Sequence, residues 1–273
     1  MNYKLIASDL DGTLLYDVFN VSRENMDAIR EFSQMGGYVV PTSGRCFYEI
    51  VPELRSCEDI KYCISSNGAV ITDLATGERD QICITPEKLK AIVDIATEYE
   101  VHLTLHREGY GSIDLSTDNR ERAFYYNLNE HYFVHYHKWC RKVDGLADLC
   151  RSGIEAEMIS LFFRKQSELD ECAERLGTVG GLILTSSADF NIEIVAEGAS
   201  KGDGIRRLAK KLGLDMSEVI AVGDSRNDVT MLEAAGLGLA VSNAVDGLKQ
   251  KADAVICSHK EHIIPYILKN FVK

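Results

Sequence analysis

The sequence predicts an α/β protein whose parallel-sheet core is interrupted by an inserted α+β segment. Three observations predict it. Short β-rich runs alternate with amphipathic helical stretches in the first and last parts of the chain, the pattern of βαβ units. Each of those runs ends in small or polar residues. The middle of the chain loses the alternation and reads as helices beside hairpin-like strands.

Taken in order, Tyr3 to Ser8 is a first strand that runs into Asp9-Leu10-Asp11-Gly12-Thr13. Ser22 can cap a helix from Arg23 to Met35, which Gly36-Gly37 stops. Tyr38 to Val40 is a second strand ending at Pro41-Thr42-Ser43-Gly44-Arg45, with a helix expected from there to about Leu54. Tyr62 to Ser65 is a third, ending at Ser66-Asn67-Gly68. The pattern resumes at Ser200, where Asp203 three residues on completes a capping-box signal for a helix that Gly213 ends. Val219 to Val222 is a buried strand stopped by Gly223-Asp224, and a helix follows over about 228–235. Leu239 to Val241 is a further strand, and a last helix covers about 262–271. These elements make a Rossmann-like core.

Between them, Pro86 to Tyr99 reads as an amphipathic helix, and Val101 to Leu105 and Gly111 to Leu115 as strands. Ala156 to Arg164 is a strand, Ser167 to Leu176 a helix, and 182–185 with 190–195 a terminal hairpin. The expected organisation is a discontinuous core of residues 1–83 and 195–273 with an inserted domain over 84–194.

Composition narrows the function. The 273 residues are 45% hydrophobic and 26% charged, as in an ordinary globular protein. A net charge of -12 argues against a nucleic-acid backbone as partner. The N-terminal apolar run is broken by Asp9 and Asp11, so it does not read as a signal peptide, and no stretch approaches a membrane span. The 8 cysteines form no CxxC pair, so reduced thiols in a cytoplasmic protein are expected.

In an open α/β sheet, ligands bind beyond the carboxyl ends of the strands. Four such ends here carry polar clusters: Asp9/Asp11, Ser43/Gly44/Arg45, Asn67/Gly68 and Asp224/Asn227/Asp228. Carboxylates brought together repel one another unless a cation or a shared proton intervenes. Oxygen ligands favour a hard ion, and Mg²⁺ is the usual one near phosphate.

Asp9-Leu10-Asp11-Gly12-Thr13 resembles the DxDGT signature of the haloacid dehalogenase (HAD) superfamily. Ser43 after the second strand, Lys201 at a helix start and Gly223-Asp224-Ser225-Arg226-Asn227-Asp228 follow in that family's order. The large insertion, Ser66-Asn67-Gly68-Ala69 and Val241-Ser242-Asn243-Ala244 are similar to the Cof-type subfamily, whose insertion is an α/β cap. The chain departs from that subfamily's common Ala-Thr-Gly-Arg at Thr42-Ser43-Gly44-Arg45, where Ser43 keeps the hydroxyl. The resemblance implies a Mg²⁺-dependent phosphatase acting on a small phosphorylated metabolite of sugar phosphate, pyridoxal phosphate or flavin mononucleotide type. It implies Asp9 as nucleophile and Asp11 as acid/base. It implies Asp9, the Asp11 main-chain carbonyl and Asp224 as metal ligands. Leu10 N–H, Ser43, Gly44, Lys201 and Asn227 would hold phosphate, and Asp228 would orient Lys201 or a metal-bound water. Selectivity would reside in the insertion.

Two rivals stay open on the residues: a phosphosugar mutase with the same core and cap, and a non-catalytic, phosphate-responsive binding module. Other residues carry plainer expectations. His131, His135 and His137 read as a partly exposed surface of the insertion, and His102, Thr104 and His106 as one polar strand face. Arg206, Arg207, Lys210 and Lys211 read as a solvated helix face.

Overall fold

The computed structural model describes residues 2–272, with the side chain of His131 left out of the description. The chain divides into two compact units. One comprises Met1–Gly44, Ile50–Asp80 and Ser200–Lys273; the other comprises Arg45–Glu49 and Gln81–Ala199. The second unit therefore takes a short segment, 45–49, that the sequence pattern assigns to the core.

The first unit holds a five-stranded sheet in the spatial order Ala254–Ile256, Leu237–Val241, Val219–Gly223, Leu5–Ser8, Tyr38–Pro41. All its pairings are parallel. Its central strands are apolar throughout because helices cover both faces of such a sheet; Leu5, Ile6, Ala7, Val219, Ile220 and Val222 are fully buried. Ser22 accepts from Asn25 N–H to start helix Arg23–Gln34. The Ser200/Asp203 capping box starts helix Lys201–Leu212, and Gly213 in the left-handed region ends it.

Tyr62–Ser65 differs from expectation. It pairs antiparallel with Val70–Asp73 in a separate three-stranded sheet that also contains Arg79–Gln81. It meets the large sheet at the parallel bridge Thr42↔Ile64 and the bond from Ser43 N–H to the Ile64 carbonyl, 2.9 Å. The reason is the turn at Ser66-Asn67-Gly68, whose three positive φ angles reverse the chain at once. The single helix expected up to Leu54 is also broken, into a turn at Phe47–Glu49 and a helix at Pro52–Arg55. Pro52 has no N–H to continue a preceding helix but suits the first turn of a new one.

The second unit is built on a six-stranded sheet in the order Leu182–Thr185, Asn191–Ala196, Met158–Phe163, Val101–Arg107, Tyr110–Asp114, Arg141–Val143. One face carries Leu103, Leu105, Ile159, Leu161, Phe163, Ile192 and Ile194, packed with residues of helices Pro86–Ala96, Leu146–Arg151 and Gln166–Gly177. On the other face the register sets His102 opposite Phe162, and Thr104 opposite Ser160, which lies opposite Glu193.

That second face is not the solvated one the alternation suggests. His102, Thr104 and His106 are buried. Tyr126 and Tyr136, from segments 120–126 and 130–139, pack against the His102 ring at 6.1 and 5.8 Å. Helix Glu130–Trp139 escapes sequence reading because EHYFVHYHKW has no clear apolar stripe. His135 is correspondingly buried, whereas His137 is exposed and bonded to Asp118 at 2.9 Å. Arg206 and Lys211 are open to solvent as expected, but Arg207 is largely covered and donates to the Gly68 carbonyl. None of the eight cysteines forms a disulfide.

Candidate active site

The loop after the first strand is shaped by its own backbone. Leu14 N–H bonds the Asp9 carbonyl at 3.2 Å and Leu15 N–H the Leu10 carbonyl at 2.9 Å. These wide i→i+5 closures push out the intervening residues, with Asp11 extended and Gly12 at φ 75. A Cβ on Gly12 would lie 2.6 Å from Asp224 Oδ2, so only glycine allows the loop to approach that carboxylate. Thr13 Oγ1 donates to Asp224 Oδ1 at 3.3 Å, and Asn243 Nδ2 to the Gly12 carbonyl at 2.8 Å. Thr13 and Asn243 fall within the quoted motifs but were given no role by the sequence; both bind the loop to neighbouring strand ends.

Lys201 is delivered by the first turn of its helix. The helix approaches closely because two of its residues lack side chains. A Cβ on Gly202 would come within 2.3 Å of the Thr230 carbonyl oxygen, and one on Gly204 within 3.1 Å of Gly68 Cα. Lys201 Nζ then lies 2.7 Å from Asp9 Oδ1 and 2.5 Å from Asp228 Oδ1, all three side chains buried. Asp228 Oδ2 accepts from the N–H groups of Asp224 and Ser225, each at 2.9 Å. Both oxygens of Asp228 are thus committed, and its side chain holds Lys201 and the Asp224 backbone in place.

Carboxylate oxygens of Asp9, Asp224 and Asp228 lie within 4.8 Å of one another. Burial pushes the Asp9 carboxyl up from its ordinary value. Lys201 opposes this, and Asp228 and Asp11 add to it. Burial likewise raises Asp224, reinforced by Asp9 and Asp228. Burial alone would lower Lys201, but Asp228 and Asp9 outweigh it and hold the ammonium well above the usual lysine range. One ammonium among these acids leaves negative charge uncompensated. The donors are all oxygen and the anions are desolvated, so the residues fit a hard divalent cation. Of the three, Asp228 is the most fully hydrogen-bonded, with bonds to both of its oxygens. The sequence-based set named Asp11 through its main chain rather than its carboxylate, and the Asp11 side chain is not in the three-acid cluster.

A second group of residues gathers around Gly44. Asn227 Nδ2 donates to Asn67 Oδ1 at 3.0 Å, and a Cβ on Gly44 would sit 3.1 Å from that same oxygen. Asn67 N–H bonds the Ser43 carbonyl at 3.0 Å. Ser43, Gly44, Asn67 and Asn227 therefore form one patch. Asn67 sits at φ 54, a left-handed position that asparagine suits in any turn.

An acidic pair thus follows one parallel strand, a buried lysine bridges two aspartates, and a polar turn follows the neighbouring strand. The family model of haloacid dehalogenase-like hydrolases matches residues 6–268, and the chain belongs to that family. Phosphatase YwpJ of Bacillus subtilis is 30% identical, the match covering 98% of this chain and 100% of that protein. The 5-amino-6-(5-phospho-D-ribitylamino)uracil phosphatase YcsE of the same organism is 28% identical over 100% of this chain and 97% of its own. A solved haloacid dehalogenase-like hydrolase from B. subtilis superposes with a TM-score of 0.84 at 31% identity, covering 98% of this chain and 99% of that one.

Proposed function

We propose that the protein is a Mg²⁺-dependent phosphatase that hydrolyses a small, soluble phosphorylated metabolite in the cytoplasm through an aspartyl-phosphate intermediate. The observation that carries this reading is the buried bridge from Lys201 to Asp9 and Asp228. A carboxylate can approach a phosphate dianion only if its own charge is masked, and Lys201 masks it. The named phosphatases among the relatives support hydrolysis over transfer back to a product, and the retention of both Asp9 and Asp11 supports catalysis over mere binding.

Asp9 Oδ attacks phosphorus as the bond to the leaving oxygen breaks, and Asp11 gives that oxygen its proton. Asp11, now ionised, takes a proton from water; the water oxygen attacks phosphorus, and the Asp9 carboxylate is released with inorganic phosphate. Lys201, the Ser43 hydroxyl and the N–H groups of Leu10 and Gly44 stabilise the phosphoryl oxygens, with Asn227 beside them. Asp228 acts by orienting Lys201. A magnesium ion held by Asp9, the Asp11 carbonyl and Asp224 would supply Lewis-acid neutralisation of the phosphoryl charge. The test is turnover of a generic aryl phosphate: EDTA should abolish it and Mg²⁺ restore it. Full activity in EDTA, or rescue by zinc alone, would contradict the reading.

A further inference from the structure

Within the first unit, the turn at Ser66-Asn67-Gly68 touches three parts of the polar patch and its surroundings. Asn67 is buried at 1% exposure, and Ser43 and Asn227 are buried as well. The Asn67 N–H bonds the Ser43 carbonyl at 3.0 Å, and the Asn67 Oδ1 accepts from Asn227 Nδ2 at 3.0 Å. A Cβ on Gly44 would sit 3.1 Å from that oxygen and 3.7 Å from Asn227 Nδ2, so both amides pack against the bare glycine backbone. The turn is itself seated on the helix that carries Lys201. Arg207 Nη2 donates to the Gly68 carbonyl at 3.1 Å, and a Cβ on Gly204 would lie 3.1 Å from Gly68 Cα. The φ of 54 at Asn67 is one that glycine enters freely and asparagine tolerates.

An amide group offers a donor at one end and an acceptor at the other. Turning over either amide of this pair would set oxygen against oxygen or nitrogen against nitrogen, and a buried mismatch of that kind is costly. The Asn67 oxygen therefore makes Asn227 present its NH₂ rather than its carbonyl on the side of Gly44. We propose that Asn67 is a positioning residue for phosphate: its side-chain oxygen orients Asn227 as a donor and its N–H holds the Ser43 carbonyl, so that Ser43, Gly44 and Asn227 converge on one anion. Arg207 supports the turn from the helix of Lys201. The inference rests on the reading of Ser43, Gly44 and Asn227 as phosphate ligands.

The experiment titrates the protein with inorganic phosphate by calorimetry in the presence of Mg²⁺, well below the melting temperature of each variant, and measures kcat and KM for an aryl phosphate beside it. Asn67→Gly keeps the left-handed turn and its N–H but removes the amide. Phosphate should then bind about tenfold more weakly, what one well-placed hydrogen bond contributes. KM should rise with it and kcat fall less, as expected when binding shared by the ground and transition states is lost. Asn67→Ala removes the same amide and also strains the backbone, so it should melt lower than Asn67→Gly while binding phosphate no better. Asn227→Ala should weaken phosphate to a similar degree, and the double variant with Asn67→Gly should lose little more than either single one, because both act through one contact. If Asn227→Ala leaves phosphate binding unchanged, the assignment of Asn227 fails, and the orienting role of Asn67 falls with it. If Asn227→Ala weakens phosphate and Asn67→Gly does not, or if the two losses add in full, the positioning role of Asn67 alone fails.

Discussion

Asp9 and Asp11 are two residues apart on one loop, and the proposed mechanism gives them different work. Asp9 is buried, which raises its carboxyl, and the Lys201 ammonium at 2.7 Å opposes that rise, as a carboxylate that attacks a phosphate requires. Asp11 is less buried and stands outside the acid cluster, which suits a group that passes a proton to and from solvent. Asp9→Asn should form no phosphoenzyme. Asp11→Asn should lose about 10²–10⁴ in steady-state rate, the usual worth of a general acid/base. With an aryl phosphate, whose leaving group departs unprotonated, it should still show a burst before slow turnover, because release of phosphate from Asp9 also needs Asp11. Rapid-quench kinetics and mapping of the labelled carboxyl check this. A label on Asp224, or one trapped on Asp9→Asn, would refute the assignment.

At the scale of elements, one close approach and one buried histidine carry testable energies. The helix bearing Lys201 is seated by Gly202 against the Thr230 carbonyl. Gly202→Ala forces an overlap with rigid backbone, so it should cost about 1–3 kcal/mol, the range for overpacking, and it should displace Lys201 and reduce activity. Urea midpoints and kcat measured together would show it; an unchanged midpoint would mean that the helix is free to shift. On the strand at Val101–Arg107, burial lowers His102 to about 4. Its ring packs among Tyr126, Tyr136 and Phe162 and neither ring nitrogen has a hydrogen-bond partner. The unfolded chain takes up this proton near the ordinary histidine value of about 6.5, while the folded chain refuses it until about 4. The unfolded state therefore binds more protons in that window, and stability falls as pH drops through it, by at most about 1.4 kcal/mol per unit from this one group. His102→Phe should flatten the dependence between pH 4 and 6.5 in denaturant titrations. An identical slope in the variant would exclude His102 as its source.

For the whole molecule, the proposed division of labour assigns the phosphoryl grip to the first unit and selectivity to the second. Replacing the second unit's residues 81–199 together with 45–49 by those of a relative should change which metabolite is preferred in a phosphate-release panel. An unchanged preference across a broad panel would refute the division. Segment 45–49 has to travel with the rest, since Glu49 would otherwise face a foreign partner in place of His135 and Cys140.

What was legible in the sequence was whatever rests on local chemistry. The parallel core strands could be read because burial on both faces makes them short apolar runs that end in turns. The helix at Lys201 could be read because its cap is two residues, Ser200 and Asp203. The acids could be singled out because each follows a strand end in a recognisable turn, and Lys201 because it opens a capped helix in the order that the family resemblance implies. Tertiary structure alone decided the rest. It turned Tyr62–Ser65 into a separate antiparallel sheet, committed Asp228 to hydrogen bonds, gathered Asn67 with Gly44 and Asn227, and buried His102, His135 and Glu49. The antiparallel pairing of Tyr62–Ser65 follows from the left-handed turn beside it, but the burial of the other groups depends on partners far away in the chain, such as Tyr136 for His102 or His135 for Glu49. A polar side chain beside such a partner has the same local sequence signature as one in water.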